Sequence, residues 1–328
     1  MAKRVMKPAA VLLISLVSVA HTASGAEDWP GTKPLRFEAG SAAGGIIDLV
    51  PRVLSNYLAP SIGVPVVVED RPGAGGNIAA GFVAKATPDG HTLLVTASNQ
   101  VVNPTLLPNP GFDYERDLAP VSMALSVQIL LVAAPSFPAK NITDVIQIAR
   151  QKPKSVSIAI GPIGTPNHLG AEMLAQYGGI DPTFVPYDGI AQALPDLMAN
   201  RVNLAVGAMS TFLPQVRSGA IKALAVLSAQ RSTFAPDIPT SAEAGLPKMK
   251  FDGWLCIMTT GGTPAPIIAR LDDAIASVLT LPDAREAFAK QGIDIFYMNA
   301  QQLGPFLHAE AARFGSLLKH SRVVKLPR

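Results

Sequence analysis

The sequence predicts an α/β fold arranged in two lobes, on three observations. Apolar, β-rich runs alternate with segments of helical spacing along nearly the whole chain. Turns bearing glycine or proline stand between them. The chain has 328 residues, with no long linker, low-complexity tract or close repeat. That length fits two lobes of about 100 to 150 residues each better than one very large sheet.

The elements follow in order. Lys3, Arg4 and Lys7 precede an apolar stretch of twelve residues, Ala9 to Ala20, and then Ser24-Gly25-Ala26. This is the pattern of a secretory signal peptide over residues 1–26, cleaved before Glu27. Twelve helical residues rise about 18 Å, short of a hydrocarbon core of about 30 Å, so a leader is expected rather than an anchor. Leu35–Ala39 reads as a strand. Asp48–Leu58 has helical spacing at Leu49, Val53, Leu54 and Leu58, with Pro51 tolerated in the first turn. Val64–Glu69 is β-rich, Asn77–Ala86 reads as a helix stopped by Pro88-Asp89-Gly90, and Thr92–Thr96 is a strand. This β-α-β-α-β order predicts a mostly parallel sheet with crossover helices.

The theme repeats in the middle of the chain. Gln128–Ala133 is a strand, and Asn141 with Asp144 resembles a capping box opening the helix Asp144–Gln151. Val156–Ala159 (strand) and Asn167–Gln176 (helix) follow, and Phe184–Pro186, Ala191–Ala199, Leu204–Val206, Phe212–Arg217 and Ala223–Leu227 continue the alternation. A strand Asp252–Met258 and helices Pro266–Leu279, Asp283–Gln291 and Gln301–His320 complete it.

Composition narrows the function. Lys3, Arg4 and Lys7 account for the whole excess of 27 basic over 24 acidic residues, so a nucleic-acid binder is not expected. Charged residues are 16%, against roughly 25% in ordinary soluble domains, and apolar residues 48%. The single cysteine, Cys256, excludes an internal disulfide and a cysteine-based zinc site. It lies in an apolar run, with nothing nearby to lower its pKa, and reads as a buried structural thiol.

Three glycine-bearing turns carry the chemistry. Gly40-Ser41-Ala42-Ala43-Gly44-Gly45 stands between the first strand and a helix, where bare backbone and free helix N–H groups suit an anion. A plain tight turn is the alternative. Asp70-Arg71-Pro72-Gly73-Ala74-Gly75-Gly76-Asn77 invites a dinucleotide reading, which fails because Ile78 stands where glycine or alanine is required. No acidic residue ends the next strand, where Thr96 is followed by Ala97-Ser98-Asn99-Gln100. Gly161-Pro162-Ile163-Gly164-Thr165-Pro166-Asn167-His168 is the third, with Thr165 or Asn167 able to cap the helix that follows. Two such lobes facing each other make a cleft lined by amides and hydroxyls rather than charges. No nucleophile elbow, Walker loop or His-Glu-x-x-His is present, and His168 with Glu172 is too small a set for a metal. No enzyme activity, cofactor or metal is therefore expected.

Many ordered motifs carry a family resemblance. They include Trp29-Pro30, Lys33-Pro34-Leu35-Arg36, Ala43-Gly44-Gly45 with Asp48 and Arg52, and Glu69 to Gly76. Pro88 to Leu94, Asn103-Pro104, Asp117 to Val121, Gly164-Thr165 with His168-Leu169 and Glu172, and Val185-Pro186-Tyr187 continue the series. Ala223 to Val226, Pro236 to Thr240, Glu243-Ala244-Gly245 and Trp254 complete it. In these the chain resembles the Bug receptors, the substrate-binding proteins of tripartite tricarboxylate transporters (TctC-like). The resemblance spans essentially all of the expected mature chain. It implies a two-lobed periplasmic binding protein of the Venus-flytrap, type II-like kind, monomeric, with each lobe a mostly parallel sheet flanked by helices. It implies capture of a small carboxylate (di- or tricarboxylic, amino or aromatic acid) by backbone amides, hydroxyls and water, and delivery to membrane permease subunits. A sensor role toward a signalling partner, or a non-carboxylate solute, are the alternatives.

The chain departs from the family pattern at Gly40-Ser41, Ile160, Pro162, Asp188, Gly207 and Cys256, which puts ligand identity rather than fold in question. The expected lobes are residues 27–124 plus 252–328, and residues 125–251, joined by two crossings that form a hinge. The expected ligand-binding residues are Ser41, Ala43, Gly44 and Gly45; Gly75, Gly76 and Asn77; Ser98 and Asn99; and Gly164, Thr165 and His168 from the facing lobe. Ala208 and Trp254 are further candidates near the hinge, and Asp48 is expected to orient its own loop.

Overall fold

The computed structural model describes residues 29–41, 43–44, 46–106, 110–291, 293–319 and 321. The expected signal peptide and Gly45 lie outside the described residues.

The chain first lays down β1 (Leu35–Ala39), α1 (Ile46–Ile62), β2 (Val66–Asp70), α2 (Asn77–Ala84), β3 (Thr92–Thr96), α3 (Asn99–Leu106) and β4 (Leu118–Val127). It then forms β5 (Ile129–Ala133), α4 (Ile142–Gln151), β6 (Ser157–Ile160), α5 (Pro166–Gly178), β7 (Thr183–Pro186), α6 (Leu194–Met198), β8 (Leu204–Ala208), α7 (Met209–Arg217) and β9 (Lys222–Val226). It closes with β10 (Gly253–Thr260), α8 (Ala265–Thr280), α9 (Pro282–Lys290), β11 (Asp294–Asn299) and α10 (Ala300–Lys319).

These make two sheets. The six-stranded sheet has the order β11-β4-β10-β3-β1-β2, and the five-stranded sheet β7-β6-β8-β5-β9. Both are mixed, with most strands in each pointing one way and a minority running against them. β1 pairs in parallel with β2 and β3, but β10 runs antiparallel between β3 and β4, and β11 antiparallel to β4. In the second sheet β6 is parallel to β7 and β8, while β5 is antiparallel to β8 and β9. The strands that run against the rest are β10 and β11 in the first sheet and β5 in the second. The chain leaves the first sheet at Val127, has only Gln128 in between, and enters the second at Ile129; it returns at Gly253.

Local sequence explains the elements that matter for the site. β1 buries Leu35 and Phe37 on one face, against Leu54 and Leu58 of α1 in one core cluster. α4 begins as its capping box requires: the Asn141 side chain accepts from the Asp144 N–H at 2.9 Å. α3, β4 and β11 were not anticipated. α3 is polar and carries Pro104, and β4 is buried through most of its length and so lacks alternation. β11 is a six-residue strand set between two helices.

Candidate functional site

Parallel pairing puts the carboxyl ends of β1, β2 and β3 at one edge of the first sheet. The first two turns therefore meet. A Cβ on Gly40 would stand 3.2 Å from Gly76 Cα, and the Arg71 N–H donates to the Ala39 carbonyl at 2.8 Å. The second turn runs through four successive positive φ values: Gly73 121°, Ala74 47°, Gly75 61° and Gly76 92°. That backbone leaves the Gly75 carbonyl pointing at α3. Asn99 Nδ2 donates to it at 2.7 Å and Asn103 Nδ2 at 2.9 Å. Asn103 Nδ2 also reaches Asn77 Oδ1 at 2.7 Å, which accepts from the Tyr114 hydroxyl as well. Burial pushes the Tyr114 hydroxyl up to about 12, so it remains a donor at any ordinary pH.

Charged groups around these turns neutralise one another. The Gly44 N–H donates to Asp48 Oδ2 at 2.8 Å, and Arg52 binds both Asp48 and Asp70. Asp48 thus orients the first turn. Asp70 is held above its ordinary pKa by burial and by the Asp48 carboxyl beside it, against the pull of Arg52. Arg71 covers Glu38 and Glu69 and stacks 3.8 Å over the Phe82 ring. Burial raises Glu38 despite the Arg71 guanidinium. Polar atoms remain unengaged: the buried Ser98 Oγ and Asn103 Oδ1 have no partner among the described residues.

The second sheet brings its third turn to the same place. A Cβ on Gly164, at φ +85°, would lie 3.4 Å from Leu106 Cδ1 and 3.5 Å from Asn103 Oδ1, so this turn rests on α3. Thr165 sits at the N-cap of α5, but its hydroxyl turns back to the Pro162 carbonyl at 2.6 Å and caps nothing. Pro166 has no N–H to satisfy, and the first-turn amides of α5 stay available. β8 is parallel to β6, so Ala208, at the start of α7, shares the sheet edge with this turn.

The structure thus brings Gly75, Gly76, Asn77, Asn99 and Gly164 together around α3. Ser98 is buried next to Asn99, while Ala43 and Gly44 are exposed and Ser41 half-buried on the first turn. His168 is placed differently from a ligand contact. It is fully buried, and its Nδ1 accepts from the Gly164 N–H at 3.1 Å, which leaves the ring proton on Nε2, 3.6 Å from Glu172 Oε1. It positions the turn. Trp254 does not reach this edge: its Nε1 donates to Glu310 at 3.2 Å and its ring packs edge-on against Phe306. Cys256 is fully buried, which pushes its thiol up to about 12. Ile160 is buried in the core rather than facing the edge, and a Cβ on Gly207 would meet the Phe212 ring at 2.7 Å. Sequence reasoning missed Asn103 and Tyr114 as parts of the site. Asn99 and Asn103 are four apart, a helical face that becomes visible only once α3 is recognised.

Comparison with known proteins fits this geometry. Residues 50–323 match the family described as tripartite tricarboxylate transporter family receptor. BugT of Bordetella pertussis is 32% identical over 314 residues, covering 95% of this chain and 96% of BugT. An R. palustris protein solved with adipate is 30% identical, with a TM-score of 0.81 over 89% of this chain and 98% of its own. MatC from Rhodopseudomonas palustris, with bound malate, is 28% identical, with a TM-score of 0.78 over 88% of this chain and 100% of its own. The periplasmic binding protein BugD, 30% identical, gives 0.77 over 87% of this chain and 96% of its own. The fold is that of the two-lobed periplasmic binding proteins. Matched by that family through most of its length, the chain belongs to the tripartite tricarboxylate transporter receptors, and is a substrate-binding receptor rather than an enzyme.

Proposed function

We propose that this receptor works in the periplasm after export by its N-terminal leader. It captures a small carboxylate between its two sheets and delivers it to the membrane permease subunits of a tripartite transporter. One observation carries the reading. The turn after β6 of one sheet meets α3 of the other at Asn103, beside free hydroxyl and amide groups and with the nearby cations already paired. An anion held there is held by neutral donors: the Ser98 hydroxyl and the first-turn amides of α2 and α5. Asn103 Oδ1 then suits a bridging water or a ligand hydroxyl. Adipate and malate in similar proteins support a carboxylate of that size. No helix among the described residues is long and apolar enough to cross a membrane. The expected contacts are Ser41, Ala43, Gly44, Gly45, Gly75, Gly76, Asn77, Ser98, Asn99, Gly164, Thr165 and Ala208, with His168 supporting Gly164.

The test is a thermal-shift panel of di- and tricarboxylates, acidic amino acids and aromatic acids, each beside its amide. A ligand at about 100 times its dissociation constant adds roughly 2.7 kcal/mol. One acid raising the midpoint while its amide stays silent, with the shift lost in Ser98→Ala, is the expected result. A panel in which only neutral solutes act overturns it.

A further inference from the structure

The C-terminal half of α5, with the end of α4 and the start of β7, walls a half-open groove of about 420 Å³. It lies at the other end of α5 from the third glycine turn, apart from the edge where the turns meet. Ala149, Ala175, Ile180 and Phe184 give it apolar walls, and Glu172 and Asp181 line it as acids. The Arg150 guanidinium lines it too, and donates to the Gly178 carbonyl at 2.7 Å. The end of the chain is brought to this groove by α10. Gln176 Nε2 donates to the Leu317 carbonyl at 2.6 Å, and Ser321 Oγ to Glu172 Oε1 at 2.5 Å. Gln176 and Glu172 both line the groove, so the chain passes Ser321 at the groove's own wall. Seven residues follow, 322–328, outside the described residues. Fully extended they reach about 25 Å. Val323, Val324 and Leu326 are interleaved there with Arg322, Lys325 and Arg328, and no acidic side chain is among them. An apolar and cationic segment complements apolar walls that carry acids.

We propose that residues 322–328 dock in this groove, as a strap from the last helix on the six-stranded sheet onto the five-stranded one. Its valines and leucine cover the apolar walls, and its cations face Glu172 and Asp181. The strap keeps Ser321 against Glu172. Glu172 in turn faces the His168 ring, whose Nδ1 receives the Gly164 N–H. The third turn is thereby steadied from behind, whatever solute binds in front of it.

The experiment is limited trypsin digestion of the whole protein, with cleavage after Lys325 read by intact mass. Peptides of residues 319–328 give the intrinsic rate for each sequence. Cleavage follows the open fraction when opening is fast, so a strap docked about nine-tenths of the time is cut about tenfold more slowly than its peptide. Val323→Ser with Val324→Ser removes apolar cover outside the folded core and should abolish that protection. Asp181→Lys, which sets a cation against the tail from the groove side, should weaken it. The groove is read separately by the ¹³C-labelled Ile180 δ1 methyl, assigned with Ile180→Val. That signal should move alike in the double serine variant and in a variant ending at Ser321. Cleavage of the parent at the peptide's rate overturns the proposal, and so does an Ile180 signal unmoved by removal of the tail. Protection that is lost on dilution also overturns it, and places the tail of a second copy in the groove.

Discussion

At the scale of single residues, the site depends on backbone that few side chains tolerate. Gly76 has φ +92°, and a Cβ there would stand 2.6 Å from Asn99 Nδ2. Gly76→Ala therefore meets two penalties at once, a left-handed backbone and a clash with the side chain that holds the Gly75 carbonyl. The expected cost is about 1–3 kcal/mol of stability, read by denaturant titration, with carboxylate binding weakened by the displacement of Asn99. A variant as stable as the parent would mean the turn relaxes without α3. Asp89 gives a pH-dependent counterpart. Burial pushes its carboxyl up, but the Lys33 ammonium and the His91 N–H, with the charges of both side chains, outweigh that and hold it below 3.8. A depressed folded pKa contributes stability that is fully present above the unfolded value and lost as pH falls through the folded one. Asp89→Asn should flatten part of the acid-side loss of stability below pH 3.8. An unchanged acid limb in the variant would place that loss elsewhere.

At the scale of elements, α10 ends on the other sheet's helix. Gln176 Nε2 of α5 donates to the Leu317 carbonyl at 2.6 Å, and Ser321 Oγ to Glu172 Oε1 at 2.5 Å. Glu172 is also the acid facing His168, whose Nδ1 holds Gly164. Glu172→Ala removes the acid that accepts from Ser321 and faces His168, at a cost of about 1–3 kcal/mol. It should speed hydrogen exchange in the last turn of α10 and at Gly164 together, whereas Gln176→Ala should affect α10 alone. Exchange changing at α10 only in Glu172→Ala would separate the two contacts. These links explain what was legible beforehand. β1 and β3 could be read because a five-residue β-run between turn signals, alternating in Leu35–Ala39 and apolar at the centre of Thr92–Thr96, is a local pattern, and both strands stand where it places them. The three glycine turns could be read for the same reason. α3 could not: eight residues containing Pro104 and two asparagines look like a loop until Gly75 and Asn77 supply their acceptors. His168 reads as a ligand contact because its place at the third glycine turn is visible in sequence and its burial is not.

At the scale of the whole molecule, the two passages between sheets lie side by side. Gly253 pairs with Val127, the Leu227 N–H donates to the Ile129 carbonyl and the Phe251 N–H to the Leu227 carbonyl, each at 2.8 Å. The Met209 N–H fixes the Gln128 carbonyl at 2.8 Å. These residues are the expected hinge, and Gly253 is crowded among them. A Cβ there would stand 3.1 Å from both Ile129 Cδ1 and the Val127 carbonyl. Gly253→Val therefore strains the arrangement in which Gly164 rests on α3, without touching any expected ligand contact. A difference of only ~1 kcal/mol between open and closed arrangements shifts ligand affinity about fivefold. Carboxylate affinity should fall by at least that much in Gly253→Val, and solution scattering should show a larger radius of gyration with ligand bound than in the parent. Unchanged affinity and scattering together would mean that closure does not pass through Gly253, and would move the hinge to the Val127–Ile129 passage alone.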